Sequence, residues 1–95
     1  MKVIINKSTN KKKKFVAIFY KDNKKIKTTH FGNHGSSDFT INKNKETKKN
    51  YLLRHKPRED WNAFMTAGSL SRYILWNKPT LKSSIADYKK RFSLL

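Results

Sequence analysis

Apolar positions along the 95-residue chain recur with two periods, first about two and then about 3.6. Val3, Ile4 and Ile5 predict a short strand over residues 2–6, followed by a polar connection over residues 7–12. Residues 14–20 alternate, with Phe15, Ala17 and Phe19 on one face and Val16, Ile18 and Tyr20 on the other. Apolar side chains on both faces predict a central strand covered twice, by helices on one side and by another chain, such as a homodimer partner, on the other. Asp22 and Asn23 tolerate left-handed backbone, so residues 21–24 read as a hairpin turn. Residues 25–31 then alternate Ile26, Thr28 and His30 against Lys27, Thr29 and Phe31. The three strands predict an antiparallel meander with the second in the middle.

Beyond Phe31 the character changes. Gly32 and Gly35 sit among Asn and Ser, which marks residues 32–42 as a loop where glycine supplies positive φ. Residues 43–55 predict a helix of low apolar content, closed by Pro57, in which residues 46–50 add solubility rather than packing. Thr66 is an N-cap candidate for a helix over residues 67–76, where Leu70, Tyr73 and Ile74 have i, i+3, i+4 spacing. Pro79 breaks it, and Thr80 caps a last helix over residues 81–92. Leu81, Ile85, Tyr88 and Phe92 form the cleanest amphipathic stripe in the chain. The expected fold class is α+β: one domain over residues 1–95, with a small three-stranded antiparallel meander (residues 1–31), a Gly/Ser loop (32–42) and a helical part of two or three helices (43–92).

Composition adds a large charge to this frame. There are 19 Lys and 4 Arg against 6 acids, a formal net charge of +17 and a mean hydropathy of −0.87. Such values push toward disorder, but 13% aromatic residues in periodic segments supply a small core. Self-repulsion opposes compaction, so a polyanion is expected to stabilise the fold. No apolar run is long enough for a transmembrane segment, and the N-terminal run is too short for a secretory signal. There is no cysteine, hence no disulfide, thiolate metal site or thiol nucleophile. An intracellular or virion-interior location fits that composition.

Residues 1–30 carry +9 of the charge, residues 31–60 carry +3, and residues 61–95 carry +5. Lys11, Lys12, Lys13 and Lys14 run into a strand bearing Phe15 and Phe19, and Lys21, Lys24, Lys25 and Lys27 surround the next turn. Lys82 and Lys89 lie seven residues apart on one helix face. Cations at intervals suit phosphates, each of which releases counterions when neutralised. Lysine lacks the bidentate fork that reads guanine edges, so its excess over arginine argues for backbone contact without sequence reading. Arg54 and Arg72 are candidate phosphate clamps, whereas Arg58, Glu59 and Asp60 read as an ion-pair and capping cluster around Trp61.

Catalytic signals are thin. His30, His34, Asp38 and His55 match no metal-ligand spacing, and hydrogen-bonding roles account for them, so neither a metal nor a cofactor is expected. No phosphate-cradling glycine loop exists, and Ser36, Ser37 and Ser69 have no recognisable base partner. Tyr51, Trp61, Phe64, Tyr73 and Trp76 have the chemistry to stack on bases, but beside helix-periodic Leu and Ile they read as core.

Particular residues also carry a resemblance. His30-Phe31-Gly32, Gly35, Asp38-Phe39-Thr40, Tyr51-Leu52, Arg54-His55, Arg58-Glu59-Asp60-Trp61, Thr66-Ala67-Gly68, the unbroken run over residues 71–81, Ser84-Ile85 and Tyr88 to Phe92 resemble a family of small basic proteins of nucleocytoplasmic large DNA viruses (giant viruses). The resemblance covers about residues 25–92 and implies a viral setting, without catalytic residues to carry over; the N-terminal strands depart from it more freely. The combined expectation is a non-enzymatic, virion-associated protein that contacts DNA or RNA backbone and helps condense or package DNA, in the virion interior or in the host cytoplasm or nucleus. The alternative is a minor capsid or assembly protein that meets acidic capsid or membrane surfaces. A nuclease built on His34, Asp38 or His55 is the third reading.

Overall fold

The computed structural model describes residues 1–95. Strands β1 (Lys2–Lys7), β2 (Lys13–Lys21) and β3 (Lys24–Asn33) form an antiparallel sheet in the order β1-β2-β3. Helices follow: α1 (Phe39–Asn42), α2 (Lys45–His55), α3 (Ala67–Leu70) and α4 (Leu81–Arg91). The class is therefore α+β, with the meander and its central strand as the alternation predicts. Register pairs Val3 with Phe19, Ile5 with Ala17, and Phe15 with Phe31. These inward positions carry the core together with Phe39, Tyr51, Leu70, Ile74, Leu75, Trp76, Tyr88 and Leu94.

The hairpin between β2 and β3 turns through Asp22 (φ 52°) and Asn23 (φ 65°), the left-handed positions such a turn demands. Each helix with a predicted cap has it: the Thr66 hydroxyl accepts from the Ser69 N–H, and the Thr80 hydroxyl from the Ser83 N–H. Asn44 caps α2 by accepting from Glu46 and Thr47.

Three features depart from expectation. Gly32 and Asn33 belong to β3, and the loop that follows contains α1, capped by the buried Asp38. Gly32 has φ +78°, and a Cβ there would lie 2.8 Å from Leu75 Cδ1, so the backbone conformation and the close approach both select glycine. The helix expected over residues 67–76 is α-helical only to Leu70. It then widens into a π turn over Ser71–Leu75, closed by the Trp76 N–H donating to the Ser71 carbonyl. Ile74, Leu75 and Trp76 are consecutive and all buried. A regular α-helix turns about 100° per residue and would carry one of three neighbours off the core; the wider turn and the break at Trp76 keep all three inside.

The second face of β2 is only partly covered. Val16 is buried, but Ile4, Ile18 and Tyr20 are half-exposed and Ile26 is 46% exposed. Helices occupy one side of the sheet and no element of this chain covers the other. The chain end also joins the sheet, with Val3 N–H donating to the Leu95 carbonyl and Leu95 N–H to the Met1 carbonyl.

Candidate nucleic-acid interface

Cations far outnumber the groups that neutralise them. Of the 23 Lys and Arg, only Lys14 and Arg91 make an ion pair, to Asp38 at 2.6 Å and Asp87 at 3.4 Å. Asn77 and Arg91 hold the Asp87 carboxyl below its usual range, against the upward push of burial. Lys14 is therefore no free phosphate ligand: its side chain is 12% exposed and tied down beneath the loop. The remaining lysines predicted on the meander separate into two poles. Lys11, Lys12 and Lys13 lie where β2 begins beside Asn33, and Lys21, Lys24, Lys25 and Lys27 lie around the hairpin at its other end. At about 3.3 Å per residue, β2 holds the poles roughly 26 Å apart. On α4, Lys82 is exposed and Lys89 half-buried.

Arg54 and Arg72 do not form one clamp, because they line different hollows. Arg54 opens on a cleft of about 570 Å³ bounded by the end of β3 and the loop that leads to Asp38, by α2 and by the π turn. Its wall is an aromatic stack: Trp76 on Tyr51 (4.4 Å, 8°) and Tyr51 on His55 (4.1 Å, 23°). Glu59 approaches His55 at 3.5 Å and accepts from Trp61 Nε1 at 2.9 Å. It thus pairs with His55 rather than with Arg58, as the sequence cluster had suggested. His30 bonds Ser8 at 2.6 Å, and Asp38 is held by Lys14 and the Thr40 N–H. No three His, Asp or Glu side chains converge.

Burial first, then the Glu59 carboxylate, pushes the Tyr51 hydroxyl up to about 12, outweighing Arg72 and Arg54. Such a raised group stays neutral in the fold while the unfolded chain ionises from about pH 10. Its share of stability is intact below pH 10 and lost as pH rises to about 12, on the order of 2 kcal/mol. In denaturant titrations across that window wild type should lose about that much stability relative to Tyr51→Phe, while lysine deprotonation cancels in the difference. A constant difference would place ionisable Tyr51 in water.

The second hollow, about 590 Å³, lies on the other side of α2. Lys45, Lys48, Lys49, Leu52 and Lys56 occur at helical i, i+3, i+4, i+7, i+11 spacing and share one face. Phe39, Trp61 and Arg72 complete the surround, and no acidic residue lines it. Lys48 Nζ sits 4.8 Å over the Phe39 ring and donates to the Asn77 carbonyl at 2.7 Å. Arg72 Cζ lies 5.3 Å from the Trp61 ring centre and 4.9 Å from that of Tyr73. Tyr51, Trp76, Phe64 and Tyr73 join or pack against the core, whereas Trp61 is half-buried and lines this hollow instead. The lysine spacing in residues 45–56 is the sequence signal for this face, and it is masked there by the weak apolar pattern of α2.

No helix is long and apolar enough to cross a membrane. No curated protein and no solved structure matches the chain. A family of unknown function, DUF5754, matches residues 3–55, from β1 through α2, and so takes in the N-terminal strands and the lysine-bearing helix. Spanning more than half of the sequence, that match makes the chain a member of the DUF5754 family.

Proposed function

We propose that this protein binds nucleic acid through the phosphate backbone, independently of base sequence and without catalysing a reaction. One observation carries the reading: nearly all of its cations have no carboxylate partner within the chain, and five of them border a hollow free of acids. A fold that keeps so many like charges together gains stability when a polyanion neutralises them. The proposed setting is viral, resting on the resemblance seen in residues 71–81, with the protein helping to condense or package DNA in virions or viral factories.

Binding of mixed-sequence DNA, read by fluorescence anisotropy, tests this. If Lys45, Lys48, Lys49 and Lys56 neutralise about four phosphates, affinity falls about a hundredfold between about 50 and 200 mM salt. Shuffling the DNA sequence leaves it unchanged. A flat salt dependence would overturn the reading.

The half-exposed outer face of the sheet favours one second reading, in which the protein is a minor assembly component held to a capsid or acidic membrane surface. Virion fractionation separates the two. Retention in the protein shell after nuclease digestion favours assembly, and release with the DNA favours the first.

A further inference from the structure

We infer that the hollow between α2 and the π turn seats one nucleotide unit of a single strand, its phosphate on the α2 lysines and its base against the Trp61–Arg72 wall. The inference rests on the nucleic-acid reading and narrows it to a place and a substrate class.

Four observations converge there. The lining holds Lys45, Lys48, Lys49, Lys56 and Arg72 and no carboxylate. Arg72 uses one donor, Nη1 to the Trp76 carbonyl at 2.8 Å, and its buried Nε has no acceptor. Buried donors are normally satisfied, and an oxygen-rich ligand with slight rotation of the guanidinium would supply the missing acceptor. The walls are also apolar, with Phe39, Leu52, Trp61 and Leu53, the last 64% exposed beside charged neighbours. Finally, about 590 Å³ falls in the range that encloses a small ligand. Burial, then Arg72, Lys78 and Lys45, depresses the Lys48 ammonium, a crowding of like charge that a phosphate relieves.

A duplex offers phosphates outward and keeps its bases stacked inside. A hollow that pairs cations with aromatic and aliphatic walls therefore matches a strand whose base is free to leave the stack. The cleft on the other side of α2 lacks this character, since Asp38 and Glu59 line it.

The full-length protein is titrated, at one fixed salt concentration, against a labelled thymidine oligomer of about 12 nucleotides and a hairpin duplex of equal phosphate number. Single strand should bind more tightly than duplex. Lys45→Gln with Lys49→Gln, and separately Trp61→Leu, should each weaken the single strand about tenfold. Lys21→Gln with Lys24→Gln removes the same charge at the hairpin and should cost about twofold or less. Lys45, Lys49, Lys21 and Lys24 are all exposed and bond no other side chain, so the paired comparison survives if Trp61→Leu fails to fold. Equal losses from the two lysine pairs, or a duplex bound as tightly as the single strand, would overturn the seat while leaving backbone binding standing. Absence of binding to both probes at low salt would overturn the broader reading instead.

Discussion

Replacing Asp38 by Ala is expected to lower the free energy of unfolding by about 3–5 kcal/mol, a large share of what a domain of this size has. Asp38 is 2% exposed, and its carboxylate has two tasks. One oxygen meets Lys14 Nζ at 2.6 Å across 24 positions of sequence. The other accepts from the Thr40 N–H at 2.9 Å and so caps α1. Removing the carboxylate leaves an ammonium with 12% exposure and no counter-charge. Lys14→Met should be nearly as damaging, because it strands the carboxylate. The double variant Asp38→Ala/Lys14→Met should lose clearly less than the sum of the singles, since both charges go together. Urea titration followed by tryptophan fluorescence measures all three. A loss under about 1 kcal/mol for Asp38→Ala would mean that water screens the pair. The consequence reaches the proposed site, because α1 carries Phe39, the ring beneath Lys48 Nζ.

Tyr88→Ala should cost a similar 3–5 kcal/mol, and Tyr88→Phe about 1–2 kcal/mol, in the same assay. Tyr88 is fully buried at the heart of an aromatic cluster, with Phe92 5.2 Å away and Phe92 in turn near Phe64 and Tyr73. Its hydroxyl donates to the Phe64 carbonyl, joining α4 to the irregular segment before α3. Truncation to Ala opens a cavity that aromatic rings anchored on several elements cannot collapse into. The Phe variant keeps the packing and orphans a buried carbonyl, so the gap between the two variants separates packing from hydrogen bonding. Burial also drives the hydroxyl of Tyr88 well above the usual tyrosine range. Like Tyr51, it therefore withdraws stability as pH climbs past 10, and Tyr88→Phe should flatten that alkaline decline. Equal losses for Phe and Ala would contradict the packing account.

Much of this architecture was legible locally. Period-two alternation around Phe15 to Tyr20 and the Asp22–Asn23 turn specify the meander, because a strand offers two faces and a hairpin turn tolerates few residues. Thr66, Thr80 and the stripe from Leu81 to Phe92 specify helix starts and a buried face for the same kind of reason. Helix α1 was not legible, because four residues carry no periodicity and their cap is stabilised by a lysine from a distant strand. The π turn escaped as well, since widening at Ser71–Leu75 answers to what Ile74, Leu75 and Trp76 must reach across the core.

The candidate site divides along the same line. Sequence by itself determined the surplus of cations, the excess of lysine over arginine and the positions of the aromatic residues. Those are sums and short-range patterns, indifferent to how the elements meet. Tertiary structure decided which cations are spent and which are free. It buried Lys14 against Asp38, parted the meander lysines to opposite ends of β2, and put Arg54 and Arg72 in separate hollows. It also brought Trp61 and Arg72 up to the lysine face of α2. Coulomb attraction and stacking depend on distance in space, and the distances between residues far apart in the chain exist only once the core has closed.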